Sequence, residues 1–257
     1  MPVQLSNLPK PNYFKLFKAF DEFLVEKALE EVAEQAALRK QAEAYGFAVP
    51  PTVLSYEKTR EALYYAQDIS RNGIKRNGKK TSGLRKDGIT PEFQHQLEIC
   101  HLICTLLPWL EFPAETLTVA LLHDVTEDYL DQEAFILETF GESVLRRVQI
   151  LNKYLPDGTP KAEAVYFAEC ANDPVTSIVK PVDNCHNQST MYGVFTLPKI
   201  YSYVKRSADH ILPLMKVARR KFLKQTLAYE NLKFLLRNQC QMAIATLNAA
   251  GFEPADD

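Results

Sequence analysis

Residues 114–129 read AETLTVALLHDVTEDY. The spacing of Leu117, Ala120, Leu121 and Val125 gives one apolar stripe at helical period, so a single helix is expected across the whole run. A buried helix of this kind needs other helices around it. They are found on both sides, and no stretch shows the alternation of a strand. The fold class expected is all-α.

The same run ends in chemistry. His123 and Glu127 are four apart, as are Asp124 and Asp128. On a helix each such pair shares a face. One turn then offers an imidazole and a carboxylate as ligands, and the next offers two free carboxylates. Two further candidates lie elsewhere, His95 in PEFQHQLEICHLICTLL (91–107) and Asp183 in VTSIVKPVDNCHNQSTMY (175–192). Two imidazoles and two carboxylates make a mixed nitrogen and oxygen set, suited to a hard or borderline divalent metal. A metal held this way activates water, and neighbouring acids manage protons. The chemistry suggested is metal-dependent hydrolysis of a phosphate ester.

Read singly, each residue has a plainer role. His95 is then a half-buried helix histidine, Asp183 a cap after Pro181, and Glu127 with Asp128 a solvated helix end. His186 reads as a structural donor. His101, Cys100 and Cys104 read as helix-face residues rather than a second metal site.

Outward from this centre, residues 14–45 form an Ala-rich helix that Val49, Pro50 and Pro51 break. A second helix spans 55–71. Residues 72–90, NGIKRNGKKTSGLRKDGIT, are a long basic loop. It is either a solvated connector or a cradle for an anionic ligand. Helices follow at 131–139, 142–153 and 160–171, with Gly141 between the first two and a break at Asp173-Pro174. Residues 197–250 hold two or three more. The expected division is an N-terminal helical extension over 1–50 and a catalytic domain over 51–257.

The chain has 257 residues, enough to bury a core. Its net charge of −2 gives no global attraction to nucleic acid. Five cysteines, an odd number with no C-x-x-C pair, argue against a disulfide framework and for a reducing cytoplasm. No secretory signal and no run long enough to span a membrane is read.

Three runs together, RKDGITPEFQH (85–95), LLHDVTEDY (121–129) and KPVDNCHNQST (180–190), resemble those of the HD superfamily, and within it the RelA/SpoT-homologue alarmone hydrolases. The resemblance covers roughly residues 60–205. It implies an HD-domain helical bundle, here a hydrolase-only form with helical extensions at both ends. It implies Mn²⁺ as cofactor and cleavage of the 3′-pyrophosphate of (p)ppGpp. His95, His123, Asp124 and Asp183 are the implied metal ligands, and Glu127 and Asp128 the catalytic acids. Arg85, Lys86, Asn187, Thr190 and Tyr203 are the implied substrate contacts. The chain departs from the pattern at Glu92, where the family has tyrosine, at Gln96, where it has proline, and at Asn184 and Ser189, where it has arginines. Pro181 interrupts the helix start that the family has in its third motif run. An adenine alarmone or the 2′-phosphate of NADPH is an alternative substrate. A different class of function is an antitoxin-like protein that sequesters a nucleotide or neutralises a partner synthetase.

Overall fold

The computed structural model describes residues 12–47 and 55–254. The expected break at Val49, Pro50 and Pro51, and with it the division at 50/51, lies outside the described residues. The described residues form an all-helical bundle. In order, they are α1 (Tyr13–Ala44), α2 (Ser55–Asn72), α3 (Glu92–Cys104), α4 (Pro113–Leu122), α5 (Val125–Asp128) and α6 (Glu133–Phe140). Then come α7 (Glu142–Leu151), α8 (Glu163–Ala171), α9 (Thr176–Ser189), α10 (Leu197–Arg206), α11 (Leu212–Lys221) and α12 (Thr226–Ala249). Among the described residues there is no sheet, only isolated antiparallel bridges that pin loops, such as Lys75 with Tyr129 and Leu84 with Pro91.

The centre is α4. Proline opens it, where the missing amide costs nothing. Beyond Pro113, every residue of it except Glu115 is buried, so it is apolar all round. It packs against α2, α3, α7 and α9. Thr59 and Thr118, both buried, satisfy each other's hydroxyls at 2.9 Å across the α2–α4 contact.

The single helix expected over 114–129 does not form. α4 stops at Leu122, His123 and Asp124 make a turn, and α5 is one short helix after it. The reason is local competition. The His123 ring donates from Nδ1 to the carbonyl of Ala120 at 2.7 Å, the acceptor a continuous helix offers to the amide of residue 124. The turn swings the two side chains toward α3 and α9.

The first half of α1 belongs to the same core. Phe20, Leu24 and Ala28 are buried against α2 and α3, whereas no residue from Leu29 to Ala44 is buried. Asp21 pairs with Arg60 at 2.7 Å, and Glu31 accepts from the amide of Tyr56 at 3.0 Å.

The basic loop is largely exposed and is stitched down at a few points. Gly73 opens it, and a Cβ there would sit 2.5 Å from the Ile69 carbonyl and 2.6 Å from the Tyr129 ring, so only glycine fits. The Arg76 guanidinium donates twice to the Thr126 carbonyl, at 3.0 and 2.6 Å. The Arg76 amide donates to the Asp128 carbonyl at 3.0 Å. The loop is thus tied to α5.

α9 runs straight through Pro181, which lies inside it, so the expected interruption is absent. The helix begins well before the proline, and tertiary burial on nearly every side outweighs the one backbone bond a proline removes. Its start is fixed by Asp173, whose Oδ1 accepts from the amides of Val175 and Thr176 at 2.9 and 3.0 Å. Asp173 is also paired with Arg147 at 3.0 Å, and Arg147 reaches Glu115 at 2.5 Å. Arg147→Met leaves two carboxylates facing the interior. With Arg146 still 3.0 Å from Asp173, we expect a loss near the lower end for a broken buried pair, about 3 kcal/mol, in urea unfolding. A loss below about 1 kcal/mol would mean the pair is not buried in solution.

At the C-terminal end, a π turn at Ser207–Ile211 joins α10 to α11. Ser207 Oγ accepts from Asn184 at 2.8 Å and from Gln188 at 2.6 Å, tying the turn to α9. All five cysteines are free thiols. No described helix is long and apolar enough to cross a membrane.

Candidate metal centre

Three chain segments converge where α3, the α4–α5 turn and α9 meet. Single ligand atoms of His95, His123 and Asp124 lie within 4.8 Å of one another, an arrangement able to hold a metal ion. Asp183 stands beside this trio. Its Oδ1 is 3.2 Å from His95 Nε2 and 3.9 Å from His123 Nε2. It sits in the body of α9 and caps nothing, so the plainer reading of Asp183 as a cap fails.

The protonation pattern fits a metal. His123 Nδ1 is committed to the Ala120 carbonyl, so Nε2 is the atom facing the cluster. That Nε2 is buried and makes no hydrogen bond, although Asp124 Oδ2 is only 3.1 Å away. A buried nitrogen that faces a carboxylate without a well-directed hydrogen bond calls for an explanation. A lone pair and a carboxylate oxygen sharing one cation supply it.

Charge in the site follows from the same crowding. Burial lowers the pKa of His95 to about 4, against the pull of Asp183, so this ring is neutral near pH 7. For His123 burial also acts downward, but the carboxylates of Asp124 and Asp183 outweigh it and push the value up to about 9. Burial would raise both carboxylates, yet His123 holds Asp124 down, and Lys180, 2.7 Å away, holds Asp183 well below the usual range. In the absence of metal, a proton on His123 therefore occupies the cation's place. Metal must displace that proton. We expect divalent-metal affinity to rise about tenfold per pH unit up to about 9 and to level off above it, with one proton released per ion. Calorimetry in buffers of different ionisation heat measures that proton. Affinity flat from pH 6 to 9 would count against His123 as a ligand.

The cluster opens into a cavity of about 560 Å³. Its walls bring together every site residue expected from the sequence apart from His123, which lies beneath the surface. Glu127 and Asp128 are on α5, but they are not free carboxylates. Glu127 is 2.8 Å from Lys153 Nζ and Asp128 is 2.8 Å from Lys75 Nζ. Arg85 donates to Asn187 Oδ1 at 3.4 Å, and Asn187 in turn donates to Asp183 Oδ1 at 2.6 Å. Thr190 donates to the His186 carbonyl at 3.1 Å. Tyr203 stacks on Phe195 at 5.6 Å between centroids, and Lys86 Nζ lies 5.9 Å from the Phe195 ring.

The basic loop divides by role. Lys75, Arg85 and Lys86 line the cavity, Arg76 is spent on Thr126, and Lys79 and Lys80 do not line it. Lys75 bridges Asp128 and Glu92, the latter at 2.5 Å. Burial raises the pKa of Glu92, with Lys75 opposing.

Sequence reasoning missed Glu92, Glu98, Lys153 and Phe195 as cavity residues. The substitution at Glu92 was a visible signal. For Glu98 the spacing was available, one turn after His95, but nothing in the sequence says what it faces. Asn184 and Ser189, where arginines were expected, turn away from the cavity to Ser207 and to the His186 carbonyl. No protein-family model matches the chain, and no curated protein is similar enough to it to count as a relative.

Proposed function

We propose that the protein is a metal-dependent phosphohydrolase that removes the 3′-pyrophosphate of (p)ppGpp, releasing GDP or GTP. The observation that carries this reading is the buried His123 Nε2, which lies 3.1 Å from the Asp124 carboxylate without a well-directed hydrogen bond, at the floor of a cavity lined by acids and cations. The three motif runs that resemble the alarmone hydrolases support the substrate. So does the cavity volume of about 560 Å³, within the range of small-molecule sites.

In this reading His95, His123, Asp124 and Asp183 hold the ion, and Mn²⁺ is its identity. A divalent cation there supplies Lewis-acid activation of water and of a phosphoryl oxygen. Glu127 and Asp128 orient the attacking water and move its proton, each aimed by its lysine, Lys153 or Lys75. Arg85 and Lys86 receive phosphate oxygens. Asn187 and Thr190 contact the nucleoside, and the stacked Tyr203–Phe195 pair offers a face to a base. The catalytic domain is residues 51–257, and residues 1–50 are an extension whose helix lends Phe20, Leu24 and Ala28 to the same core.

Initial rates with Mn²⁺ on ppGpp, its adenine analogue and NADPH test the proposal. We expect higher kcat/KM for ppGpp and its adenine analogue than for NADPH, because two diphosphates gain more from the cavity cations than one phosphate monoester does. Arg85→Ala is expected to raise KM more than it lowers kcat, the mark of binding shared by ground and transition states. Rising salt should weaken substrate binding, since the loop cations are partly screened. Faster turnover of NADPH than of either alarmone would overturn the substrate assignment and leave the metal hydrolase standing.

A further inference from the structure

Behind His95, away from the metal cluster, lies a chain of two contacts. His95 Nδ1 is 2.8 Å from His186 Nδ1, and His186 Nε2 is 2.6 Å from Glu98 Oε2. The two rings meet edge to face, with centroids 4.7 Å apart. His95 and His186 are both buried, and Glu98 is three-quarters covered, so water screens little of this chain. Gln94 donates to the other oxygen of Glu98 at 2.7 Å, which fixes the carboxylate in place.

When His95 Nε2 serves as a ligand, these contacts set where the hydrogens stand. A carboxylate accepts only, so the short contact to Glu98 puts a hydrogen on His186 Nε2. A His95 that ligates through Nε2 keeps its hydrogen on Nδ1, and His186 Nδ1 accepts it. Two ring nitrogens at 2.8 Å need one hydrogen between them, and His95 Nδ1 supplies it. His95 Nε2 is then bare, and it is the atom turned toward Asp183 and Asp124. A metal-ligating histidine usually gives its second N–H to a carboxylate or a carbonyl, which sets the tautomer and raises the ring's basicity. His123 does this through the Ala120 carbonyl. His95 does it through a second imidazole, and the negative charge stands one ring further back.

We propose that Glu98 and His186 are positioning residues for the metal site, a carboxylate–imidazole relay that holds His95 in the ligating tautomer and lends it anionic charge. The inference rests on the metal reading above. It gives Glu98 a task in ion affinity, separate from any contact with substrate.

The test is Glu98→Gln. A carboxamide oxygen still accepts from His186 Nε2, so shape and hydrogen bond persist while the charge goes. Free Mn²⁺ in titrations of the full chain is read from its electron paramagnetic resonance signal. Loss of such an outer partner typically costs 10- to 100-fold in metal affinity, and we expect Kd to rise by about that factor with an unchanged melting temperature of the metal-free protein. Glu133→Gln, an equal charge change on α6, should leave Kd within about twofold of the parent. If Glu98→Gln binds Mn²⁺ as tightly as the parent does, the relay is overturned and the metal reading stands. If the parent fails to take up Mn²⁺, the metal reading itself falls. Long-range ¹H–¹⁵N spectra of the Zn²⁺-loaded parent need no variant. They should show His186 protonated at Nε2 alone and His95 carrying its hydrogen on Nδ1. The opposite tautomer at either ring overturns the proposal.

Discussion

His123→Ala is expected to abolish both metal uptake and phosphohydrolase activity. The argument is geometric. Only a handful of protein atoms face the centre of the cluster, and His123 Nε2, buried and without a well-directed hydrogen bond, is one of them. Removing the ring leaves Asp124 and Asp183 with one imidazole between them, and two carboxylates with one nitrogen hold a divalent ion far more weakly than the full set. Asp183→Ala should act alike, because its Oδ1 faces both histidines and its loss also strands Lys180, a buried ammonium whose carboxylate partner is 2.7 Å away. That second penalty falls on folding, so His123→Ala is the cleaner variant. Metal content per chain, measured after dialysis against Mn²⁺, should drop from about one to near zero in both. Full metal stoichiometry in His123→Ala would sink the site assignment, whatever happened to the rate.

The second large effect concerns the acids. Glu127→Gln and Asp128→Asn should each keep the metal and lose about 10²–10⁴ in kcat, the usual scale for a general acid or base. The lysine partners sharpen this expectation. Lys153 Nζ against Glu127 and Lys75 Nζ against Asp128 keep both side chains turned to their observed positions. An amide retains one such contact and loses the proton-accepting charge. Metal retained with turnover lost separates these residues from the ligands. Near-normal kcat in both variants would return them to a solvated helix end whose lysines are ordinary ion pairs.

Much of this was legible in the chain. The all-helical class follows from apolar spacing at helical period, and α1, α2, α3 and α6 begin or end within a residue or two of where that spacing puts them. The ligand candidates were legible from the order of His95, His123-Asp124 and Asp183 in three runs that resemble those of a known family. The break at His123 and Asp124 was not. Periodicity reports which residues face the core, and it is blind to a side chain that takes a backbone acceptor from its own helix. Nor does it show that a helix buried on nearly every side tolerates Pro181.

What the sequence by itself determined is the set of elements and the residue types at the centre: helices from period, breaks at Gly141 and Asp173-Pro174, and four candidate ligands from three separate runs. What only the tertiary structure decided is which of those groups meet and what each already holds. The pairing of Glu127 with Lys153, of Asp128 with Lys75, of His95 with His186, and of His186 with Glu98 joins residues 26, 53, 91 and 88 positions apart. Side-chain hydrogen bonds act over about 3 Å. No local pattern encodes contacts of that range between segments so distant in the chain, and they exist only because α4, buried and apolar all round, draws α3, α7 and α9 around itself.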